Sequence, residues 1–196
     1  MFWKKCDPCE GATSKSAKLA STITRAPEIW SHFTGMPSQG SRVPQRPTLV
    51  RGTLEDNLRL GNPGATDAEV VRALERSGLD GLVARLPIGL ATPVGEGGLT
   101  LSAGERQRIA IGRAVLRDVP VVLLDEPTAH LDADREDSLR TRLEPWLEGR
   151  TVVVAAHRGG LVARVDRTVT LVAGRLVDAT AAGSAAVGPL RSGAPR

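Results

Sequence analysis

Aromatic residues are scarce: the 196-residue sequence has no tyrosine, two phenylalanines and three tryptophans. Faces on which bases could stack are correspondingly few, which argues against binding of single-stranded nucleic acid. Long apolar runs are missing as well. Val119 to Leu124 is broken by Pro120, and Val152 to Ala156 is short, whereas a spanning helix needs roughly 20 apolar residues. No segment is expected to cross a membrane. Met1-Phe2-Trp3-Lys4-Lys5 has no apolar stretch behind it, so no secretory signal is read and the expected location is cytoplasmic. The two cysteines, Cys6 and Cys9, are expected to stay reduced there. As a lone C-x-x-C with only His32 nearby, they lack the further ligands that zinc needs, and chance explains the pair better.

Lysine is rare in an informative way. All four lysines (Lys4, Lys5, Lys15, Lys18) precede residue 19, and every later basic residue is arginine. Residues 1–42 carry six basic and three acidic groups without a clean helical or strand period. Residues 43–178 carry 18 arginines against 19 acids and are dense in Val, Leu, Ile and Ala. Residues 179–196 are small, with Gly and Pro, and add two arginines. The net charge of +4 and pI near 9.7 therefore belong to the ends. The expected organisation is an unrelated or disordered leader (1–42), one folded domain (43–178) and a flexible tail (179–196). The balanced core argues against a nucleic-acid partner.

Within 43–178, Thr66-Asp67-Ala68-Glu69 before Val70, Val71 and Leu74 reads as a capping box opening a helix that Gly78 ends. Leu79 to Leu86 reads as a short helix stopped by Pro87. Ser102-Ala103-Gly104-Glu105 repeats the capping signature ahead of a helical run to Arg117. Val119 to Leu124 reads as a buried strand delivering Asp125 and Glu126 at its C-terminal end. A helix from Asp134 with Leu139, Leu143 and Leu147 follows, kinked at Pro145 and closed by Gly149. Thr151 to Ala156 reads as a second buried strand, ending at His157, and Arg167–Val172 with Arg175–Val177 as a hairpin. Strands alternating with helices, with polar residues at strand C-termini, predict an open α/β sheet.

Each chemical feature is weak alone. Asp125-Glu126 suits nucleotide hydrolysis, the first carboxylate supporting Mg²⁺ and the second orienting water, but strands often end in acids. Ser102 to Glu105 places free N–H groups where phosphate could bind, or is an ordinary cap. His157 suits a terminal phosphate, or is structural. Gln45 suits Mg²⁺ or water, or is a solvated loop amide.

Their order is informative. Val43-Pro44-Gln45, Leu101-Ser102-Ala103-Gly104-Glu105-Arg106-Gln107, Leu123-Leu124-Asp125-Glu126-Pro127-Thr128, Ala129-His130-Leu131-Asp132 and Ala156-His157-Arg158 resemble, in turn, the Q-loop, signature, Walker B, D-loop and H-loop of ABC transporter nucleotide-binding domains. The resemblance covers residues 43–178. It implies an α/β P-loop NTPase (ABC ATPase) fold, here incomplete: a helical signature subdomain plus the C-terminal part of the parallel sheet. It implies ATP and Mg²⁺ as cofactors, with Asp125 and Gln45 toward the metal, Glu126 as general base and His157 on the γ-phosphate. Ser102, Gly104, Glu105 and Asp132, with Gln45, would face nucleotide. Two such domains sandwich two nucleotides, so the implied partners are a second nucleotide-binding domain and the transmembrane domain of an exporter. The implied place is the cytoplasmic face of the membrane. Ala103 and Glu105 stand where Gly and Gln are usual. Leu49 to Leu58 and Pro93 to Gly98 look like the exporter branch, and the signature and D-loop are similar to thiol exporters serving cytochrome bd assembly.

A P-loop, G-x-x-x-x-G-K-[ST], is missing from the sequence. Cys9-Glu10-Gly11-Ala12-Thr13-Ser14-Lys15-Ser16 keeps Lys-Ser but has Cys9 and Ser14 at the glycine positions. Side chains there oppose the nest, and Lys15 lies too close to Gln45 for the usual intervening elements. The expectation is a truncated or rearranged domain. Its Walker B strand would lack a P-loop strand beside it and present an unpaired edge, giving marginal stability. Hydrolysis by the chain itself is left open. The alternatives are a fragment that only supplies a signature motif, a DNA-repair type ABC ATPase, and a non-functional gene remnant.

Overall fold

The computed structural model describes residues 18–22, 40–129, 131–156, 167–172 and 175–178. Six strands form one sheet: β1 (Lys18–Thr22), β2 (Gly40–Val43), β5 (Val121–Asp125), β6 (Thr151–Ala155), β7 (Arg167–Val172) and β8 (Arg175–Asp178). Their order across the sheet is β2-β5-β6-β1-β7-β8. All neighbours run parallel except β7 and β8, which form the antiparallel hairpin read from the sequence. A two-residue ribbon, β3 (Gly52–Thr53) with β4 (Pro93–Val94), lies outside this sheet.

The expected bare edge on the Walker B strand does not occur. β5 has β2 on one side and β6 on the other, in continuous register from Val121 to Asp125 with β6. The strand β1 pairs with β6 and β7 instead, so β5 needs no contact with it. The sheet also draws β1 and β2 from the segment expected to be a leader, and the expected boundary at residue 43 falls on the last residue of β2.

The helices follow local chemistry. Thr53, Thr66 and Ser102 each cap a helix through a full capping box, with Asp56, Glu69 and Glu105 reaching back to the cap N–H. They open α1 (Leu54–Arg59), α2 (Asp67–Ser77) and α4 (Ala103–Arg117) and satisfy backbone donors that would otherwise lack partners. Gly78 ends α2 at φ 70°, where a Cβ would be strained. The helix expected over Leu79–Leu86 is shorter: α3 spans Asp80–Val83. α5 (Ala133–Leu147) runs through Pro145, and Gly149 follows at φ 73°.

The core lies between the sheet and these helices. Val43, Val122, Leu124, Val152 and Val154 from the strands meet Ile109 and Ile111 of α4 and Leu139 and Leu143 of α5. Burying each such side chain is worth about 1.5–3 kcal/mol. α4 also packs against α1 and α2 at Gly112, where a Cβ would stand 2.7 Å from Leu58 Cδ2 and 3.5 Å from Ser77 Oγ. No helix among the described residues is long and apolar enough to cross a membrane.

Candidate functional site

Parallel strands bring their C-terminal ends to one edge of the sheet, and the first group of site residues collects there. In the register of β2 against β5, Arg42 lies opposite Leu123 and Val43 opposite Leu124. Side chains two apart share a face, so Arg42, Leu123 and Asp125 are on one face while Val43 and Leu124 enter the core on the other. The Arg42 side chain reaches one pleat along, and its Nη2 comes within 3.5 Å of Asp125 Oδ2. The Asp125 side chain is 14% exposed and that of Arg42 38%. Burial pushes the Asp125 carboxyl above its ordinary value, Arg42 pulls it down, the neighbouring Glu126 charge raises it, and the Gln45 backbone N–H lowers it.

Glu126 has a left-handed backbone, φ 45°, and its N–H donates to the Ala155 carbonyl at 2.8 Å. A side chain in that conformation costs about 1–2 kcal/mol, so the strand ends with a turn held by β6. The Gln45 side-chain amide donates from Nε2 to Glu126 Oε2 at 2.8 Å. Reversing the amide would set two acceptors against each other, so hydrogen-bond chemistry fixes its orientation.

The second group sits at the start of α4. Ser102 Oγ accepts from the Glu105 N–H at 3.2 Å, while Glu105 Oε2 accepts from the Ser102 N–H and hydroxyl, each at 2.8 Å. Ser102 and Gly104 line a cleft together with Glu105, Arg85, Arg108, Leu131 and Arg135. Asp132 is the N-cap of α5, accepting from the Arg135 N–H at 2.9 Å and paired with its guanidinium at 3.4 Å. His157 and His130 lie outside the described residues, as do Cys6 and Cys9.

Two residues that the sequence did not single out tie the stretch after Gln45 to α4. Asn57 is fully buried. Its Nδ2 donates to the Val50 and Thr53 carbonyls at 2.9 and 3.0 Å, and its Oδ1 accepts from the Val50 N–H at 3.0 Å. Arg113 on α4 donates to Asn57 Oδ1 and the Asn57 carbonyl at 2.8 and 2.7 Å and to the Thr48 carbonyl at 2.8 Å. Burial holds the Arg113 guanidinium below its ordinary pKa. The pattern Leu54-Glu55-Asp56-Asn57-Leu58 does flag Asn57, a polar residue between apolar helix positions. Nothing local marks Arg113 or Arg42.

The mostly parallel sheet, with polar residues at its carboxyl edge and a capped helix start beside a cleft, defines an α/β protein of the P-loop NTPase fold. Residues 14–129 match the family model described as ABC transporter. The chain belongs to this family, as an ATP-binding domain with exporter-type relatives. It is 46% identical to ABC transporter B family member 19 of Arabidopsis thaliana over 69% of this chain and 11% of that protein. It is 40% identical to the ATP-dependent lipid A-core flippase of Neisseria gonorrhoeae over 72% of this chain and 23% of that protein. A bacterial Atm1-family ABC exporter solved with ATP bound superposes with TM-score 0.72 and 27% identity, over 79% of this chain and 32% of that one. The chain thus spans under a quarter of the two curated relatives. The family match begins at Ser14, so it reaches back across Lys15, Ser16 and β1.

Mg²⁺, which the resemblance assigns to Asp125 and Gln45, does not fit the side chains as they stand. Asp125 Oδ2 faces a guanidinium at 3.5 Å, and Gln45, whose Nε2 donates to Glu126, keeps only a neutral carbonyl oxygen to offer a cation. Among the described residues no three His, Cys, Asp or Glu side chains converge as a metal site.

Proposed function

We propose that this chain is the nucleotide-binding-domain component of an ABC exporter and that, holding no nucleotide of its own, it supplies its signature motif to ATP bound by a second such domain. The observation that carries this reading is the cleft at the start of α4, in a chain without a G-x-x-x-x-G-K-[ST] sequence. A helix start offers free N–H groups and a positive partial charge. Ser102 and Gly104 would meet the terminal phosphate there, with Glu105 holding Ser102 in place and Asp132 across the domain interface. Arg85 and Arg135 add positive charge to the same cleft.

A site for the chain's own nucleotide lacks its cradle. A phosphate nest at the edge that carries Asp125 must follow the C-terminal end of a parallel strand. After β1 the sequence reads Ile23-Thr24-Arg25-Ala26-Pro27-Glu28, without glycine, and the Lys15-Ser16 pair precedes β1. On this reading Glu126 and His157 are spectators, and the metal ion that accompanies ATP is held on the partner's side. The exposed Val50 and Leu99 offer an apolar contact for the transmembrane partner at the cytoplasmic face of the membrane. Val50 lies against Gly95, where a Cβ would be 2.8 Å from the Val50 carbonyl, and the Leu99 N–H bonds the Pro93 carbonyl at 2.8 Å.

Titration of the purified chain with a fluorescent ATP analogue tests the proposal. No saturable binding is expected with or without Mg²⁺. Saturable, Mg²⁺-dependent binding would give the chain its own nucleotide site and overturn the reading.

A further inference from the structure

The Walker B carboxylate already has a cation. Arg42 lies on the same face as Asp125, one pleat back on the neighbouring strand, and its Nη2 is 3.5 Å from Asp125 Oδ2. The register that places it there is continuous from Gly40 to Val43, with Ser41 and Val43 anchored in the interior and Arg42 pointing outward. Arg42 is thus held by the strand and not by chance proximity of a loose loop. The second residue expected near a metal, Gln45, is turned with its donor toward Glu126 at 2.8 Å. The acidic ligand is neutralised by a guanidinium, and Gln45 brings no negative charge that could replace it.

We propose that Arg42 is the built-in counter-cation of Asp125 and that it closes this carboxylate to divalent metal ions. The inference rests on the family reading of Asp125 as the metal-supporting carboxylate, and it deepens the proposed function by giving this half of the site a fixed charge in place of an exchangeable one. A guanidinium is charged at every accessible pH and donates in a planar fork. It can hold the Asp125 charge with no nucleotide present, and a doubly charged ion brought to the same oxygen would be repelled at a few ångströms' distance. Arginine at position 42 would thus stabilise the ion-free carboxylate and oppose the ion-bound one.

The test is electron paramagnetic resonance of free Mn²⁺ titrated with the full chain, without nucleotide. In the unaltered protein, Asp125→Asn should leave Mn²⁺ binding unchanged, because Asp125 contributes no site. Arg42→Gln should add a site at least about tenfold tighter than the background carboxylates, and that gain should vanish in the Arg42→Gln/Asp125→Asn double variant. Arg42→Lys, which keeps the charge, should leave the site closed. Asp125-dependent Mn²⁺ binding in the unaltered protein would overturn the proposal, and this arm needs no change at Arg42. A folded Arg42→Gln protein with no gain would overturn it too. Either failure leaves the signature-donor reading standing, since that reading falls only to nucleotide binding by the chain itself.

Discussion

Removing the Asn57 side chain should be among the most damaging single changes in the domain. Asn57→Ala deletes the acceptor of the Val50 N–H and of Arg113 Nη2, and the donor to the Val50 and Thr53 carbonyls. Three of these are neutral hydrogen bonds, worth about 0.5–1.5 kcal/mol each, and the fourth involves a charge, worth about 1.5–3 kcal/mol. Water can reach some of the freed groups and the contributions are not additive, so a loss of about 3–5 kcal/mol is expected. A half-buried guanidinium left short of an acceptor supplies much of it. The assay is urea unfolding followed by far-ultraviolet circular dichroism, with Arg113→Met and the double variant completing a cycle. The double variant should cost about 1–2 kcal/mol less than the sum of the single changes, because removing both partners leaves no orphaned charge. A loss below about 1 kcal/mol for Asn57→Ala, or strict additivity in the cycle, would refute the view that this pair fastens the stretch after Gln45 to α4.

Other perturbations separate close contacts from open space. Gly61→Ala places a Cβ 2.2 Å from the Arg113 carbonyl oxygen, and the backbone shift should cost more than about 2 kcal/mol in the same unfolding assay. Gly81→Ala within α3 meets nothing within 4 Å and should be neutral or stabilising by about 0.5 kcal/mol. Ser102→Ala removes the cap of α4 and should cost about 1 kcal/mol, with faster amide hydrogen exchange at Glu105 as a local readout. The capping carboxylates of Asp56 and Glu69 are held below their ordinary values of 3.8 and 4.5 by hydrogen bonds from Thr53 and Thr66. Their contribution is therefore present above those values and lost as pH falls through the lowered ones. The melting temperature of Glu69→Gln should fall less steeply than that of the unaltered chain on acidification through this range.

The helices α2, α4 and α5 were readable because their signals are local, whereas α1 was not read, its box closing on Asp56 in place of the usual Glu or Gln. Thr66 with Glu69, and Ser102 with Glu105, complete their hydrogen bonds within four residues, so the pattern in the chain is already the structure. Val121 to Leu124 was readable because a strand covered on both faces is apolar throughout. The two strands that begin within the first 42 residues were not. Lys18-Leu19-Ala20-Ser21-Thr22 has neither an apolar run nor a clean alternation, and Gly40-Ser41-Arg42-Val43 is too short to show one. Both owe their conformation to partners far along the chain. The same distance hid the Arg42 ion pair, whose members are 83 residues apart and meet only through strand register. Gln45 and Glu126 were each marked by motif, yet the hydrogen bond between them depends on that register as well.

The place of β1 bears on how the chain reaches this arrangement during synthesis. β1 is the first described strand to leave the ribosome, yet it is held between β6 and β7, with Lys18 aligned to Val152 and Leu19 to both Val153 and Arg167. Neither neighbour exists until more than a hundred further residues have been made. The capped helices and the β2–β5 pair can form earlier, while β1 waits and then enters the middle of the sheet. Such late, long-range pairing is slow and leaves an open edge on β6 in the meantime. Because β1 is the strand that joins β6 to the β7–β8 hairpin, its late docking makes the centre of the sheet, rather than its rim, the stage most exposed to chaperones and to misfolding.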